Sequence, residues 1–399
     1  MSTTALVFAN QQKEQELHPV FTKVYQLTVI ERTLHALQRA EVSSVTIIGG
    51  ENTTQLQQLL AKKKPDGMDI IFHRDFEGNF RPTDSFFVVE EPLVVAPDIF
   101  KQFSGQPDTA TTADKKISFF YKNHPQINLN QPLKSHPSLL TKDKIIEPNH
   151  PVYSPVHNTA QLKKIKKALR KSLVKPTDGW VSRNLNRPIS ISFSRILAHT
   201  SLTPNQFTII TGIIAIITGY FMVMGGYWNW LIAAGLFHLT SVLDGVDGEL
   251  ARLKFKSSPF GQWLDTVVDN LSYIIGLGCL IVGVYRLGAT PAVKWASILA
   301  VIFAVLALLS GYLYLVRFGK GGTLLNVEYG YQNQQGLYGK VMNVAAAFAK
   351  RDLFALLFLI MAIFGQLPMA LGYVALMAAA VLGFSIQAHL IAARKRKMA

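Results

Sequence analysis

The 399-residue chain has one cysteine, Cys279, set in an apolar run. That excludes an intrachain disulfide and any zinc site built on paired cysteines, and leaves Cys279 as a small buried or lipid-facing residue. The opening MSTTALVFANQQKEQ lacks a basic segment followed by a long apolar core. No secretory signal is legible there, and the N-terminal half is expected in the cytoplasm. Acidic residues are in deficit, 25 against 40 Lys and Arg, for a formal net charge of +15. A basic excess suits nucleic acid or an anionic membrane surface. Beside long apolar runs, the membrane is the expected partner and nucleic acid is not. Beyond about residue 200, charge of either sign becomes scarce, and Leu, Ile, Val, Ala, Phe and Gly dominate.

A hydrocarbon layer of about 30 Å calls for roughly 20 apolar residues in a helix. Six stretches qualify as candidates: 204–225, 229–250, 263–286, 293–316, a shorter 352–367, and 370–393. An even number returns the C-terminus to the side of the N-terminus. Lys254, Lys256, Arg317, Lys320, Lys340, Lys350, Arg351 and the tail ARKRKMA fall on one side. Only Arg286 and Lys294 fall on the other. The excess of positive charge marks the first side as cytoplasmic, with Trp228, Trp230 and Trp295 near the outer interface.

Residues 1–150 alternate strand-like and helix-like runs. TALVFA, SVTIIGG, DIIFHR and SFFVVEEPLVV read as strands, and TVIERTLHALQRA and TTQLQQLLAKKK as helices. This predicts an α/β domain with a parallel sheet. From about 104 to 160 the pattern dissolves into Pro, Asn, His, Thr and Lys, read as irregular connecting structure. In AQLKKIKKALRKSL, the residues Leu162, Ile165, Leu169 and Leu173 share a helical face while six Lys or Arg cover the rest. That is the pattern of a helix lying on an anionic membrane surface, and ISISFSRILAHT reads as a second one. Residues 151–202 are therefore taken as a linker with interfacial helices, and 203–399 as a six-helix membrane domain.

The chemistry concentrates in SVLDGVDGELARLKFKSSPFGQWLDTVVDN, residues 241–270. Asp244 and Asp247 are three apart and Asp265 and Asp269 four apart, so each pair shares a helix face. Consecutive spans are natural antiparallel neighbours, so the two faces can meet. Four carboxylates in a low-dielectric setting repel strongly and need protons or bound cations. Two divalent ions balance the charge. All-oxygen donors favour Mg²⁺ or Mn²⁺, with Ca²⁺ as a competitor, and paired metals suit phosphoryl transfer. Gly245, Gly248, Ala251 and Gly261 leave room for a ligand or a close helix neighbour. Arg252, one turn beyond Gly248, reaches a phosphate, anchors an aspartate or snorkels to the interface.

DGVDGELARLKFKSSPFGQWLDTVVD resembles the CDP-alcohol phosphotransferase pattern D-x-x-D-G-x-x-A-R-x₈-G-x₃-D-x₃-D at every specified position. LTPNQFT is similar to the family's usual start of its first span. The resemblance implies a membrane transferase that moves a substituted phosphate from a CDP-alcohol to an alcohol and releases CMP. It implies Asp244, Asp247, Asp265 and Asp269 as ligands of two divalent cations, with Asp269 also the general base on the acceptor hydroxyl. Gly248, Ala251, Arg252 and Gly261, with Pro204 and Asn205, would line the CDP site. A homodimer is common in such proteins. DGWVSRNLNRPIS and FAKRDLFALL resemble a subgroup whose fused cytidylyltransferase-like domain makes CDP-inositol, used to form di-myo-inositol phosphate phosphate. There Lys350 and Arg351 would meet an acceptor phosphate. CDP-diacylglycerol and CDP-inositol both remain open as donors.

The N-terminal order of strand, loop, helix and strand resembles a nucleotidyltransferase in outline only. Its first loop, NQQKEQELHP, has no glycine and two glutamates, where backbone amides would have to cradle a triphosphate. Glu90–Glu91 stand where the family places a metal aspartate. A degenerate domain with a docking, dimerising or regulatory role is expected. A different class of protein, a cation transporter using the aspartate cluster, accounts for the carboxylates. It does not account for the spacing of Gly248, Ala251, Arg252 and Gly261, or for a site at one membrane face when transporter sites lie near the midplane.

Overall fold

The computed structural model describes residues 3–11, 16–76, 85–104, 110–120, 144–148, 150–175, 178–318, 348 and 350–398. Lys320, Lys340 and residues 12–15 of the loop NQQKEQELHP lie outside them. The chain forms two compact units. The first is Met1–Val174 with Ala198–Thr200 and Leu253–Phe255, and the second comprises the remaining residues from Lys175 onward.

The first unit is built on β1 (Thr3–Phe8), β4 (Val42–Ile48), β5 (Asp69–His73) and β6 (Phe86–Val89). The small pairs β2 (Lys23–Val24) with β3 (Leu27–Thr28), and β7 (Val94–Val95) with β11 (Tyr153–Ser154), lie outside the main sheet. In the main sheet β1 runs parallel to both β4 and β6, and β4 parallel to β5. Helix α1 (Val29–Arg39) starts where Thr28 and Glu31 form a reciprocal capping box. This satisfies two of the amides that a helix start leaves unpaired. Its Ile30, Leu34 and Leu37, one turn apart, are fully buried against the sheet. Helices α2 (Thr53–Lys63) and α3 (Pro97–Ser104) complete the regular part.

The expected parallel sheet is in fact mixed. The full order is β10-β8-β9-β6-β1-β4-β5, with β9 antiparallel to β6 and to β8. The three added strands, β8 (Ala110–Thr112), β9 (Ile117–Phe120) and β10 (Lys144–Ile146), come from the stretch read as irregular. They are short, and their buried Thr111, Thr112 and Ser118 break the apolar alternation. Those hydroxyls bond to one another and to backbone, as in Thr111 Oγ1–Ser118 Oγ at 2.9 Å, so polarity no longer marks exposure. Helix α4 (Thr159–Lys171) forms as the periodicity requires. Ile165 and Leu173 are buried within this unit, which leaves Lys163, Lys164 and Lys167 on the exposed side.

The second unit is helical: α5 (Arg187–Leu197), α6 (Pro204–Met224), α7 (Tyr227–Leu253), α8 (Pro259–Arg286), α9 (Pro291–Phe318), α10 (Arg351–Ile363) and α11 (Ala370–Met398). Among the described residues five helices are long and apolar enough to cross a membrane: α6 to α9 and, over Met369–Arg394, α11. The protein is thus membrane-embedded by length and composition. The fifth stretch expected to span, 352–367, is α10, whose 13 residues cover only about 20 Å. Gly365, at φ +68°, and a 3₁₀ turn at Leu367–Met369 follow its end.

The α6–α8 seam is built on small residues, as membrane helix packing favours. Gly212 and Gly219 on α6 leave room for Val268, Ile275 and Cys279 of α8. At Gly283 of α8 a β-carbon would sit 2.0 Å from the Met222 carbonyl oxygen, an approach only glycine permits. These contacts fix the height of α8 against α6, and with it the level of Asp265 and Asp269.

Candidate active site

The site is assembled from the starts of α6 and α8 and the end of α7. TPNQ is a helix start in physical terms. Thr203 Oγ1 accepts from the Gln206 amide, Gln206 Oε1 accepts from the Thr203 amide, and Pro204 takes the first position, where its missing N–H costs nothing. Ser258 caps α8 through the Gly261 amide, with Pro259 following. On α7, Val242, Val246, Leu250 and Leu253 are buried, which sets the helix rotation and leaves Asp244, Asp247 and Ala251 on other sides.

The carboxylate oxygens of Asp244, Asp265 and Asp269 lie within 4.8 Å of one another. Two consecutive helices therefore bring their acidic faces together, as the spacing predicted. Asp247 is held beside them. Its carboxylate accepts from Thr208 Oγ1 at 2.6 Å and from the Gly248 amide at 2.5 Å. Hard oxygen donors at this spacing could hold a metal ion. Three of the four aspartates form the tight group, with the fourth oriented by a threonine.

A cavity of about 280 Å³ opens against Asp247 and Asp265. Pro204, Asn205, Gly248, Ala251, Arg252 and Gly261 all line it, so every residue assigned by resemblance to the CDP site meets in one hollow. A β-carbon at Gly261 would come within 2.8 Å of Asn205 Oδ1; glycine there keeps the cavity open between α6 and α8. Lys175 and Lys256 also border it and add positive charge suited to a diphosphate.

Arg351 meets the aspartates themselves. Its Nη1 donates to Asp244 Oδ1 at 2.7 Å and to Asp269 Oδ1 at 2.5 Å, and its guanidinium lies over the Tyr273 ring at 5.2 Å. It is thus a cation inside the aspartate cluster, with a charged side chain largely removed from solvent. Lys350, by contrast, is exposed at the cap of α10.

Sequence reasoning missed the support beneath this site. Glu249, between two motif residues, is fully buried. It accepts from Arg187 Nη1 at 2.6 Å, Ser190 Oγ at 2.8 Å and Ser194 Oγ at 2.6 Å. Arg187 in turn donates from Nε and Nη2 to both Asp178 oxygens at 2.9 Å. Burial acts to raise the Asp178 pKa, but the Arg187 guanidinium overrides it and holds the carboxyl below its usual range. The available signal was an acid at position 249 on the same stripe as Val242 and Val246. A buried charge needs a partner, and that partner lies 62 residues away.

Residues 201–385 match the family model for CDP-alcohol phosphatidyltransferase. This stretch is thus similar to that family, in line with its helices and aspartate cluster. Among curated relatives, the bifunctional IPC transferase and DIPP synthase of Aquifex aeolicus is 38% identical over 116 residues, 29% of this chain and 26% of that protein. The archaetidylinositol phosphate synthase of Pyrococcus horikoshii is 37% identical over 78 residues, 20% of this chain and 40% of that protein. A CDP-diacylglycerol–glycerol-3-phosphate 3-phosphatidyltransferase of Pseudomonas fluorescens is 31% identical over 78 residues, 20% of this chain and 40% of that protein. The match with the first covers about a quarter of its length.

Proposed function

We propose that the chain is an integral membrane transferase that moves a substituted phosphate from a CDP-alcohol to an alcohol acceptor. The observation that carries this reading is the single cavity uniting Pro204, Asn205, Gly248, Ala251, Arg252 and Gly261 with Asp247 and Asp265. The cytidine diphosphate occupies that cavity, with Arg252, Lys175 and Lys256 on its phosphates. Asp269 takes the proton of the acceptor hydroxyl. The acceptor oxygen forms a bond to the phosphorus bearing the donor's alcohol. The bond from that phosphorus to the bridging oxygen breaks, and CMP leaves with the electron pair. Asp244, Asp247, Asp265 and Asp269 would hold two Mg²⁺ or Mn²⁺ ions, which would supply the charge neutralisation that a diphosphate beside four carboxylates requires. Arg351, bonded to Asp244 and Asp269, orients the base and presents positive charge to the acceptor, with Lys350 at the exposed cap.

In this reading α10 with the turn Leu367–Met369 makes the sixth crossing. Ala355, Phe358 and Ala362 are buried, so protein rather than its own length shields the helix from lipid. The distribution of Lys and Arg supports both termini and the site lying on the cytoplasmic side. Homodimerisation is part of the proposal, as are the basic side of α4 and helix α5 as interfacial segments.

The first unit is read as a cytidylyltransferase-like domain without that activity. Where a triphosphate loop would begin, the Ala9 amide already donates to the Ile48 carbonyl at 2.8 Å, and side chains hold the neighbouring carbonyls. Asn52 Nδ2 donates to the Ala9 and Gln11 carbonyls at 3.0 and 2.9 Å, and Gln11 Nε2 to that of Glu90 at 2.8 Å. Glu91 is paired with Lys116 and with His157, the latter at 3.2 Å. Burial pushes Glu90 up to about 7. A raised carboxyl pKa means the folded state holds its proton longer than the unfolded one, so its stabilising effect is present in acid and is lost as pH rises towards 7. Glu90→Gln is therefore expected to raise the unfolding temperature at pH 8 more than at pH 5.5, followed by scanning calorimetry of the full chain. An equal shift at both values would reject the assignment.

The deciding experiment supplies purified protein in nanodiscs with Mg²⁺, CDP-diacylglycerol or CDP-inositol, and a panel of alcohols. CMP is expected, and its loss with EDTA. No CMP from any pair, together with cation flux in liposomes, would replace this reading by the transporter. CTP with inositol phosphate yielding diphosphate would show the first unit to be active.

A further inference from the structure

A second cavity, of about 350 Å³, shares no lining residue with the first. It lies among α6 to α11, and its wall is almost wholly apolar: Phe237, Leu280, Phe354, Phe358, Val374 and Met377 among others. Phe237 and Phe358 stack on each other in its wall, with ring centroids 5.8 Å apart. A cavity lined this way does not hold water well. Its volume falls in the range of sites that take a small molecule or part of one. One end is polar. Arg351 and Tyr273 border it there. Arg351 spends Nη1 on Asp244 and Asp269, while its Nε is buried and has no hydrogen-bond partner among the described residues. A buried donor left unsatisfied is costly, so this end calls for an acceptor oxygen. The first cavity meets Asp247 and Asp265; the second reaches Asp244 and Asp269 through Arg351.

We propose that this second cavity holds the hydrocarbon chain of an amphiphilic alcohol acceptor. A polar oxygen of its head group accepts from Arg351 Nε, and its hydroxyl is presented to Asp269. The inference rests on the transferase reading above and narrows it. The acceptor is a chain-bearing alcohol, not a wholly water-soluble one. The donor's nucleotide and the acceptor's chain then approach the aspartates through separate cavities, and a ligand that fills the second removes both its void and its unpaired donor. A bilayer lipid also brings apolar chains and acceptor oxygens, so chain-length dependence of turnover and the distribution of label are what separate it from an acceptor.

The test uses glycerol and 1-O-alkylglycerols with 4, 8, 12 and 16 carbons as acceptors, at fixed CDP-inositol and, separately, fixed CDP-diacylglycerol. With at least one donor, kcat/KM for CMP release is expected to rise at least 10-fold from the 4-carbon to the 12-carbon acceptor and then level off. Ala378 on α11 lines the cavity. Ala378→Leu and Ala378→Phe should move the plateau stepwise to shorter chains. No chain-length dependence, inositol phosphate as the better acceptor, or a uniform loss in both variants would overturn the proposal. So would a dependence confined to the acyl length of CDP-diacylglycerol, which would assign the cavity to the donor. A diazirine-tagged dodecylglycerol gives a readout that needs no turnover. Its label is expected on the peptides carrying Phe354–Phe358 and Val374–Ala378, displaced by untagged dodecylglycerol. Label spread over outward-facing residues such as Ile213 and Leu306 would indicate bulk lipid and reject the site. Specific label without CMP would keep the chain site and remove the transferase reading. CMP from polar acceptors without label would do the reverse.

Discussion

Asp269→Asn is expected to lower CMP release by about 10²–10⁴-fold, the range a positioned general base supplies, while the protein still binds Mn²⁺. The geometry separates these two effects. Asp269 lies with Asp244 and Asp265 within 4.8 Å, and asparagine retains one oxygen at the same place. The variant keeps its shape and an oxygen donor but has no carboxylate to take a proton. It also leaves Arg351 with one anionic partner, Asp244, in place of two. Single-turnover CMP release and Mn²⁺ titration by electron paramagnetic resonance read the two functions separately. Turnover within threefold of the unsubstituted protein would remove Asp269 from the role of base. Complete loss of Mn²⁺ binding would make it foremost a ligand.

The second large effect is expected away from the cavity, at Arg187. Removing one partner of a buried ion pair costs about 3–5 kcal/mol, because the other charge stays buried and unpaired. Arg187→Ala leaves Glu249, which is fully buried, with two serine hydroxyls alone. It should unfold the membrane unit well below the unsubstituted protein or leave it inactive. Glu249→Gln keeps the shape and hydrogen-bond capacity and should be the milder change. Gly245→Ala tests the same device from the other side. Its β-carbon would sit 2.4 Å from Arg187 Nη1. That atom is the end of a flexible side chain, but Glu249 holds it directly while Asp178 holds the rest of the guanidinium. Moving it breaks a pair, so Gly245→Ala is expected to resemble Arg187→Ala in direction at smaller size. Thermal unfolding in detergent, with CMP release alongside, measures both. An alanine at 245 that changes neither would show that Arg187 yields freely, and that the network does not set the position of α7.

Much of this was legible in the linear chain because its information is local. Membrane segments announce themselves by length and composition. A capping box such as Thr203–Gln206 needs only neighbouring residues. Asp244 with Asp247 and Asp265 with Asp269 share faces through helical geometry alone. The first four long strands of the α/β unit and its first two helices likewise follow from runs of a few residues. The edge β8–β9–β10 was not legible: its short strands owe their stability to partners elsewhere in the sheet, and its buried hydroxyls carry no apolar signature. The shortness of the 352–367 run was legible, but not what covers α10, whose Ala355, Phe358 and Ala362 are buried.

By itself the sequence determined the kind of protein: a chain with an α/β unit and an apolar helical unit whose acidic motif sits on two consecutive helices. Only the tertiary structure decided what those acids meet. It placed Thr208 on Asp247, Arg351 between Asp244 and Asp269, and Arg187 against Glu249, and it divided the surroundings into a polar and an apolar cavity. The physical reason is range. Helical periodicity fixes which residues of one helix share a side. Which partner stands opposite depends on the rotation and height of a second helix, and here those are set by close contacts such as Gly283 against the Met222 carbonyl, distant in sequence from the charges they align.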